Sequence, residues 1–351
     1  MQIEALPVDG FEAVRLFIDQ KTGLTALIAL HCIARGPAIG GCRIQAYDDM
    51  NDALDDVLQM ARMASFQTAM VDVPFGGGKA IIVGDPKTKP AALMRSFGRA
   101  VASFQGAFFT CEDSGTTRHD MDQANIEAAS VLGCQPGAAL VQADNAGRGV
   151  FLGMRVAIQE RLGSRDWSSI RVAVQGLGQT GMALVKLLQN AGAQITAYDP
   201  DPHRCGQASS QFGVKIVGEA QLWRENVDVL APCAIGHVIC SERLDQIKAP
   251  IIAGSANQQL ADAKLGTALA GRNILYAPDF VINAGGIITA ANEAMTGSYD
   301  AAAVDRHLHV IPRRLEQIFA IARRSRASTH RIAEVMAQEF VQDQRRRKNA
   351  A

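Results

Sequence analysis

The chain has 351 residues, of which 48% are hydrophobic and 20% charged, and its 35 basic side chains balance its 35 acidic ones. A net charge of zero argues against a nucleic-acid-binding protein that relies on bulk electrostatic attraction, so a small-molecule partner is expected. The length exceeds the size at which a single core stops growing, and it therefore predicts two domains in a globular protein.

The cysteines and the start of the chain bear on the cellular compartment. The 7 cysteines are scattered and include no C-x-x-C pair, which is typical of reduced thiols in the cytoplasm. Glu4 and Asp9 interrupt the first ten residues, so no signal peptide is expected there. No uncharged run is long enough to span a bilayer, and the 7 histidines form no metal-binding spacing. We therefore expect a cytoplasmic protein without a metal or a membrane partner.

In chain order, the first half alternates predicted strands with predicted helices. Two apolar runs, residues 14–18 and 24–30, flank a polar turn and predict a β-hairpin. Apolar residues at helical spacing predict a helix over residues 52–69, and a strand is predicted over 80–83. Mixed strand pairing is expected in this half of the chain.

A glycine-rich segment, Gly76-Gly77-Gly78, lies directly before Lys79. Glycine lets a substrate approach the main chain and permits positive φ angles, so the segment is a candidate for chemistry. The predicted helix brings its last turn, Ser65-Phe66-Gln67, beside this segment. Taken alone, the pattern favours a glycine turn followed by a solvated lysine, and the functional interpretation depends on motifs further along the chain.

The second half begins after a stretch with little periodicity. Residues 132–149, rich in Gly, Ala, Gln and Asn around Pro136, are predicted to connect the two domains. A helix is predicted next, followed by a βαβ unit and by further strands and closing helices. These elements are expected over residues 150–161 (helix), 171–175 (strand), 181–191 (helix), 194–198 (strand), 227–230, 250–253 and 274–277 (strands) and 312–341 (helices).

The βαβ unit contains a G-x-G-x-x-G motif between its first strand and its helix, which is the context of a dinucleotide-binding fingerprint. Gly176 allows the tight turn, Gly178 admits the pyrophosphate, and Gly181 lets helix and strand pack closely. Asp199, at the end of the next strand, is spaced to bind a ribose 2′-hydroxyl and to repel a 2′-phosphate, which favours NAD over NADP. Arg204 nearby could weaken this preference. The alternative is a glycine-rich turn in a nucleotide-free domain. The motif reads Gly176-Leu177-Gly178-Gln179-Thr180-Gly181.

Several motifs, taken in order, resemble those of the glutamate, leucine, phenylalanine and valine dehydrogenases, and most closely the leucine and phenylalanine branch. The resemblance runs from about the first hairpin to the last helix. It is carried by Gly36-Pro37-Ala38-Ile39-Gly40-Gly41-Cys42-Arg43, Gly76-Gly77-Gly78-Lys79, Glu112-Asp113-Ser114-Gly115-Thr116-Thr117, Val174-Gln175-Gly176-Leu177-Gly178, Ala231-Pro232-Cys233-Ala234, Ala253-Gly254-Ser255-Ala256-Asn257 and Val281-Ile282-Asn283-Ala284-Gly285-Gly286.

The resemblance implies an α/β protein of two domains, with a cleft between them. An N-terminal α/β substrate domain with a mixed sheet would span residues 1–138, completed by C-terminal helices over about 315–351, and a Rossmann-type dinucleotide-binding domain would span residues 139–314. Such enzymes deaminate an L-amino acid to a 2-oxo acid and ammonia and pass hydride to NAD. Relatives form homo-oligomers through the substrate domain, so at least a dimer is expected.

The resemblance also implies roles for individual residues. Lys79 would be the catalytic lysine that polarises a water and the developing carbonyl, and Asp113 would move protons between the substrate nitrogen and bulk solvent. Gly40 and Gly41 would lie against the substrate backbone. Cys233 would be a packed thiol near the cofactor, and Asn283 would lie at the nicotinamide or at the substrate carboxylate. The further cofactor-binding residues, which would follow the strands of the second domain, are Cys233, Ala234, Ala256, Asn257 and Asn283.

Three positions bear on the choice of substrate. Ile39 stands where glutamate-using relatives have a lysine, so an apolar or aromatic substrate side chain is expected. Ala64 replaces a pocket methionine of the leucine enzymes and should enlarge the pocket. Gln67 replaces a lysine that binds the substrate α-carboxylate, a loss of roughly 1.5 to 3 kcal/mol of charge-assisted binding if nothing compensates.

These observations leave three hypotheses open. The first is NAD-dependent deamination of an apolar or aromatic L-amino acid with an altered grip on the substrate. The second is the same chemistry on an amine or a carboxyl-modified amino compound. The third is a non-catalytic NAD-binding homologue, against which the retention of both Lys79 and Asp113 counts.

Overall fold

A computed structural model of the protein describes residues 1–134, 137–234 and 236–350. The chain divides into two compact units. The first contains Met1–Ala139, Ile287–Val304 and Ala337–Ala351, and the second contains Leu140–Gly286 and Asp305–Met336.

The first unit is built on a six-stranded mixed sheet. Its strands are β1 (Gln2–Ala5), β2 (Ala13–Asp19), β3 (Leu24–Cys32), β4 (Ala38–Gln45), β5 (Gly76–Val83) and β6 (Phe108–Glu112). They lie in the order β1-β2-β3-β5-β4-β6. The pairs from β1 through β3 to β5 are antiparallel, which confirms the predicted hairpin, whereas β4 runs parallel to both β5 and β6.

Helices cover both faces of this mixed sheet. The predicted helix over 52–69 is confirmed as α1 (Met50–Met70), which begins at the capping residue Asp49 and buries Val57 and Ala61 against one face. On the other face, α2 (Ala91–Ala102) and α3 (Arg118–Asn125) enclose a core in which Phe97 and Phe108 are fully buried. Burial of apolar side chains on both faces makes the sheet a rigid platform for the residues at its edges.

The glycine-rich segment belongs to a strand, and its interpretation as a turn is wrong. Gly76, Gly77 and Gly78 are the first three residues of β5, and none of them has a positive φ. A Cβ on residue 77 would lie 1.9 Å from the backbone nitrogen of Ser65, and one on residue 76 would lie 1.7 Å from the carbonyl oxygen of Cys32. Glycine is therefore needed here so that neighbouring backbones can pack directly on β5. This contact also confirms that the last turns of α1 lie beside the segment.

The second unit is built on a six-stranded parallel sheet in the order β12-β11-β10-β7-β8-β9, as predicted for a Rossmann-type domain. The strands are β7 (Arg171–Gln175), β8 (Gln194–Tyr198), β9 (Lys215–Ile216), β10 (Val229–Pro232), β11 (Ile251–Ile252) and β12 (Leu275–Tyr276). The remaining helices are α4 (Ala138–Leu162), α5 (Gln179–Ala191), α6 (Pro202–Phe212), α7 (Glu219–Leu222), α8 (Ser241–Leu244), α9 (Lys264–Gly271), α10 (Asp279–Ile282), α11 (Gly285–Thr296), α12 (Ala301–Leu308), α13 (Val310–Ser325) and α14 (Thr329–Ala350).

One predicted element boundary is wrong, and it concerns α4. The chain is already helical from Ala138 onward, so the stretch predicted as an irregular connection is helix over most of its length; Pro136 lies outside the described residues. A Cβ on Gly153 of α4 would lie 2.7 Å from Leu315 Cδ1 of α13. The glycines of α4 thus serve close helix packing against α13, which lies in the same unit.

Some general features follow from the described residues. None of their helices is both long and apolar enough to cross a membrane. They contain no cluster of three or more His, Cys, Asp or Glu side chains arranged to hold a metal ion. All seven cysteines lie among them and are free thiols.

A buried histidine lies where α14 meets the amino-terminal hairpin. Arg345 of α14 donates hydrogen bonds to the carbonyl oxygens of Gly10 and His31, both at 2.7 Å. The His31 ring makes edge contacts with Phe11 and Phe66, and its Nδ1 has no hydrogen-bond partner within the described part of the chain. Burial, together with the positive charges of Arg345 and Arg62, lowers the pKa of His31 to about 4.

We expect the free energy of unfolding to depend on pH through His31. The folded protein keeps this imidazole neutral down to about pH 4, whereas an unfolded chain protonates it near pH 6.5, so unfolding takes up a proton between these values. Stability should therefore fall by up to ~3 kcal/mol as the pH drops through this interval. In His31→Phe, the stability measured by thermal unfolding should not show this decrease between pH 6.5 and pH 4. His119→Gln, at an exposed position of α3, should retain it; an unchanged slope in His31→Phe would contradict the prediction.

Candidate active site

Lys79 and Asp113 form an ion pair on the sheet of the first unit. Lys79 lies in β5, Asp113 directly follows β6, and β4 runs between these two strands. The Lys79 ammonium donates a hydrogen bond to Asp113 Oδ2, and the two side chains are only 12% and 18% exposed. The structure thus brings together the two residues that the sequence singled out for proton transfer.

The ion pair passes over Gly41 of β4. The register that pairs Cys42 with Ala80 places Gly41 beside Lys79, and Gly41 pairs with Cys111 of β6 on its other side. A Cβ on residue 41 would lie 2.7 Å from Asp113 Cβ and 3.2 Å from Asp113 Cγ. The strands β5 and β6 are separated by β4 and therefore lie about 9 to 10 Å apart. The side chains of Lys79 and Asp113 can meet across β4 only where β4 has no side chain between them, and Gly41 is at this position.

The charges around Asp113 keep its carboxylate ionised. Burial by itself raises the pKa of Asp113, but the positive charges of Lys79 and Arg43 and hydrogen bonds from Lys79 and the Ser114 amide outweigh it, so the pKa lies below its ordinary value of 3.8. At neutral pH the group is therefore a carboxylate paired with an ammonium. Such a pair can accept a proton at one end and donate a hydrogen bond at the other.

Sequence reasoning missed the polar cluster beside this pair. Arg43 Nη1 donates to Asp56 Oδ2 of α1 at 3.2 Å, and the Tyr47 hydroxyl donates to the same oxygen. Arg43 belongs to a motif that carried the resemblance, but its partner lies on a helix that follows in the chain. The only available signal was a charged residue in an otherwise buried strand, which indicates the need for a partner but does not identify it.

The other predicted substrate-binding residues of the first unit lie on β4 and on α1. A Cβ on Gly40 would be 3.8 Å from Ala64 Cβ, so α1 presents Ala64 to β4. Gln67, one helical turn further on, is partly buried. Ile39 is fully buried in β4, so any influence it has on a ligand acts through the packing beneath the site. The remaining predicted residue, Asn283, belongs to the second unit.

In the second unit, the glycine motif follows β7 at the point where the strand order reverses. β8 and β9 lie on one side of β7, and β10 to β12 lie on the other. Gly176 has a φ of +98°, and a Cβ on Gly181 would lie 2.1 Å from the Gly176 carbonyl oxygen. A Cβ on Gly178 would meet only Arg204 Nη1, at 4.0 Å. The tight turn, the close helix packing and the open space at Gly178 are the features that a dinucleotide requires.

Asp199 lies directly beside this motif. Its carboxylate accepts hydrogen bonds from the amides of Leu177 at 2.7 Å and Asp201 at 2.9 Å, and it is 7% exposed. Arg204 Nη1 lies 3.8 Å from Asp199 Oδ2. The expected proximity of the acid to the glycine turn is therefore present, and so is the neighbouring arginine.

The loop after β10 completes the other side of the glycine turn. Ala234 Cβ lies 2.6 Å from the position of a Cβ on Gly176, and Cys233 Cβ lies 3.4 Å from that of a Cβ on Gly181. Burial raises the pKa of the Cys233 thiol, which makes it a packed side chain and a poor nucleophile at neutral pH. Gln179 and Thr180 form the first turn of α5.

Two more loops of the second unit reach the same edge of the parallel sheet. The Ala256 amide donates to the carbonyl oxygen of Pro232 at 2.9 Å. Asn283 Nδ2 donates to Asn257 Oδ1 at 2.6 Å and to the Ser255 carbonyl oxygen at 3.2 Å. All the residues predicted from the sequence to bind the cofactor are thus gathered at the carboxyl ends of these strands.

Comparisons with known proteins extend these observations. The model of the Glu/Leu/Phe/Val dehydrogenase dimerisation domain matches residues 12–128, and that of Glutamate/Leucine/Phenylalanine/Valine dehydrogenase matches residues 204–348. Leucine dehydrogenase of Geobacillus stearothermophilus is 36% identical over 339 residues, which cover 96% of this chain and 92% of that protein. Phenylalanine dehydrogenase of Bacillus thermotolerans is 40% identical over 284 residues, covering 78% and 74%. The crystal structure of L-tryptophan dehydrogenase from Nostoc punctiforme superposes with a TM-score of 0.79 and 34% identity, covering 94% and 96%.

Replacing Gly41 with alanine should separate Asp113 from Lys79, because the new methyl group would lie 2.7 Å from Asp113 Cβ. The pKa of Asp113 should then rise, since burial acts with less compensation from the ammonium. An NMR titration of the Asp113 carboxyl group measures this change. Gly84→Ala is the matched control, because a Cβ at that position meets nothing within 4 Å. An Asp113 pKa that is the same in Gly41→Ala and in the unaltered protein would refute this account.

Proposed function

Because this chain belongs to the Glu/Leu/Phe/Val dehydrogenase family, we propose that it catalyses the reversible, NAD-dependent oxidative deamination of an apolar or aromatic L-amino acid to the 2-oxo acid and ammonia. The observation that carries the proposal is the buried Lys79–Asp113 ion pair in a chain whose second unit has a dinucleotide fingerprint. The names of its relatives, which are leucine, phenylalanine and tryptophan dehydrogenases, support the substrate class.

The second unit is the proposed binding site for NAD. Members of this family use NAD or NADP, and the carboxylate of Asp199 supports NAD because it would repel a 2′-phosphate. Gly176, Gly178 and Gly181 would hold the pyrophosphate at the amino terminus of α5, where the backbone amides point outward. When bound, NAD supplies the hydride acceptor for the substrate Cα.

In the proposed mechanism, Asp113 handles protons and Lys79 stabilises developing charge on oxygen. The ionised Asp113 carboxylate takes a proton from the substrate ammonium, so the nitrogen lone pair is available when hydride leaves Cα, and Asp113 then releases this proton to bulk solvent. Lys79 then donates a hydrogen bond to the water that adds to the iminium carbon, and Asp113 transfers a proton from this water to the nitrogen. The hydroxyl group formed from this water gives its proton to the Asp113 carboxylate as the carbonyl forms and ammonia leaves, and the Lys79 ammonium stabilises the developing carbonyl oxygen.

We propose that Gln67 weakens the binding of the substrate α-carboxylate. Lys79 and Arg43 are each paired with a carboxylate, and we therefore assign the substrate carboxylate to the neutral amide of Gln67. A neutral hydrogen bond is weaker than a charge-assisted one. The small side chain of Ala64, one turn earlier on α1, faces β4 and supports a bulky apolar or aromatic substrate side chain.

We also propose that the protein is a homo-oligomer, at least a dimer, which light scattering would measure. The support is that residues 12–128 match the dimerisation domain of the family.

A panel of apolar and aromatic L-amino acids, assayed with NAD and with NADP, tests this proposal. We expect NADH formation at alkaline pH, and a loss of at least about 100-fold in Lys79→Ala and Asp113→Asn, because each removes a proton-handling group. Both variants should still bind NAD, whereas Lys87→Ala, at an exposed lysine, should retain activity. Full activity in Lys79→Ala would refute the assigned role. NAD binding without NADH formation across the panel would favour a non-catalytic homologue.

The proposed role of Gln67 makes a separate prediction. Gln67→Lys should lower the KM for the amino acid by roughly 10- to 100-fold, because it adds a charge-assisted bond to the carboxylate. Gln67→Met, which is neutral and similar in size, should not lower KM. If the unaltered protein prefers an amino amide or an amine to the amino acid, the substrate is a carboxyl-modified compound or an amine, and the assignment to amino acids is wrong.

A further inference from the structure

The turn after β6 is tied to the neighbouring strand by one side chain. Thr116 is 6% exposed, and its Oγ1 accepts a hydrogen bond from the Asp113 amide at 2.9 Å. The same oxygen lies 3.0 Å from the carbonyl oxygen of Cys42 on β4. It is also 2.8 Å from the Asp113 carbonyl oxygen, which accepts the Thr116 amide at 3.0 Å as well. Thr116 thus accepts from the Asp113 amide and lies within hydrogen-bond distance of β4 at Cys42, so it links the Asp113 turn to this strand.

This bridge lies where backbone pairing between β4 and β6 ends. The last in-register pair is Cys42 with Glu112, and the next contact is the Ile44 amide donating to the Ser114 carbonyl oxygen at 3.0 Å. Between these two contacts, the Asp113 amide has a side-chain acceptor. Without the Thr116 hydroxyl, this donor would lose its acceptor in a largely buried setting, and the contact between Thr116 Oγ1 and the Cys42 carbonyl oxygen would be lost.

We propose that Thr116 is a positioning residue for Asp113. Its hydroxyl fixes the backbone from which the Asp113 carboxylate reaches over Gly41 to Lys79. The effect on turnover rests on the proposed function, whereas the effect on the position of Asp113 does not. A displacement of about 1 Å in a catalytic group costs up to roughly 100-fold in rate, so a single buried hydrogen bond at this position is expected to have a measurable effect.

The far side of the turn is held independently of Thr116. Lys89 Nζ donates to the Gly115 carbonyl oxygen at 3.0 Å and forms an ion pair with Asp120. Asp120 in turn accepts the amide and the hydroxyl of Thr117, each at 2.7 Å, and so closes the capping box of α3. These contacts should keep the turn folded when the Thr116 hydroxyl is removed. A variant at this position therefore reports on the placement of Asp113.

Thr116→Val removes the hydroxyl and keeps the shape of the side chain. We expect kcat to fall about 10- to 100-fold, with the KM for NAD unchanged because the fingerprint lies in the second unit. The acid limb of the kcat/KM profile should move to higher pH, because a carboxylate that moves away from Lys79 loses part of the charge that lowers its pKa. Thr116→Ser, which keeps the hydroxyl, should restore the pH profile and bring kcat to within about threefold of the original.

Thr110→Val is the matched control. Thr110 is fully buried in β6, and its hydroxyl has no hydrogen-bond partner among the described residues, so its removal should change neither kcat nor the pH profile.

Carboxyl NMR titration of Asp113 separates this inference from the proposed function. If the unaltered protein turns over no amino acid, the proposed function fails, but a raised Asp113 pKa in Thr116→Val still supports the positioning role. The positioning role is overturned if the Asp113 pKa is unchanged in Thr116→Val, or if kcat falls as much in Thr116→Ser as in Thr116→Val.

Discussion

The contact between Lys79 and Asp113 exists because the strand between them has no side chain at the crossing point. Both groups are charged and largely buried, and a buried charge is tolerated only with a partner. Gly41 leaves the path between β5 and Asp113 free, while the cores on both faces of the sheet prevent the outer strands from moving to compensate. The position of one glycine thus determines whether the first unit has an ionised, paired acid and base or two separated groups.

The same constraint, close approach of backbones where side chains are absent, recurs throughout the molecule. Gly77 lets α1 pack on β5 and so fixes Ala64 and Gln67 over the strand that carries Lys79. In the second unit, Gly181 packs α5 on the turn after β7. In each case the glycine allows a helix to pack closely on a strand end that carries candidate functional groups. The glycine-rich motifs therefore determine the packing, and this packing positions the candidate sites.

The parts of the fold that sequence could predict are those specified by neighbouring residues. The βαβ unit and its glycine fingerprint lie within a short stretch of sequence. The hydrophobic periodicity, the glycine turn and the acidic residue Asp199 at the end of the second strand could therefore be recognised together. The family resemblance identified Lys79 and Asp113, but the reason they touch, Gly41 in a third strand, is a long-range contact. The Thr116 bridge and the Arg43–Asp56 pair could not be predicted for the same reason. The amino-terminal part of α4 was predicted as irregular because its Gly-, Ala-, Gln- and Asn-rich sequence has little periodicity, whereas Gly147 packs against Ala183 of α5 and Gly149 against Ile311 of α13.

The charge arrangement of the first unit also bears on how an amino acid would be distinguished from other ligands. Lys79 is neutralised by Asp113, and Arg43 by Asp56, so a zwitterion would enter a region whose nearby charges already balance. Its ammonium group would find the ionised Asp113, whereas its carboxylate would find the amide of Gln67. Recognition of the nitrogen end would then be stronger than recognition of the carboxylate end. Under the proposed function, discrimination among substrates would depend on shape more than on charge, and the small side chain of Ala64 beside Gly40 would contribute to it.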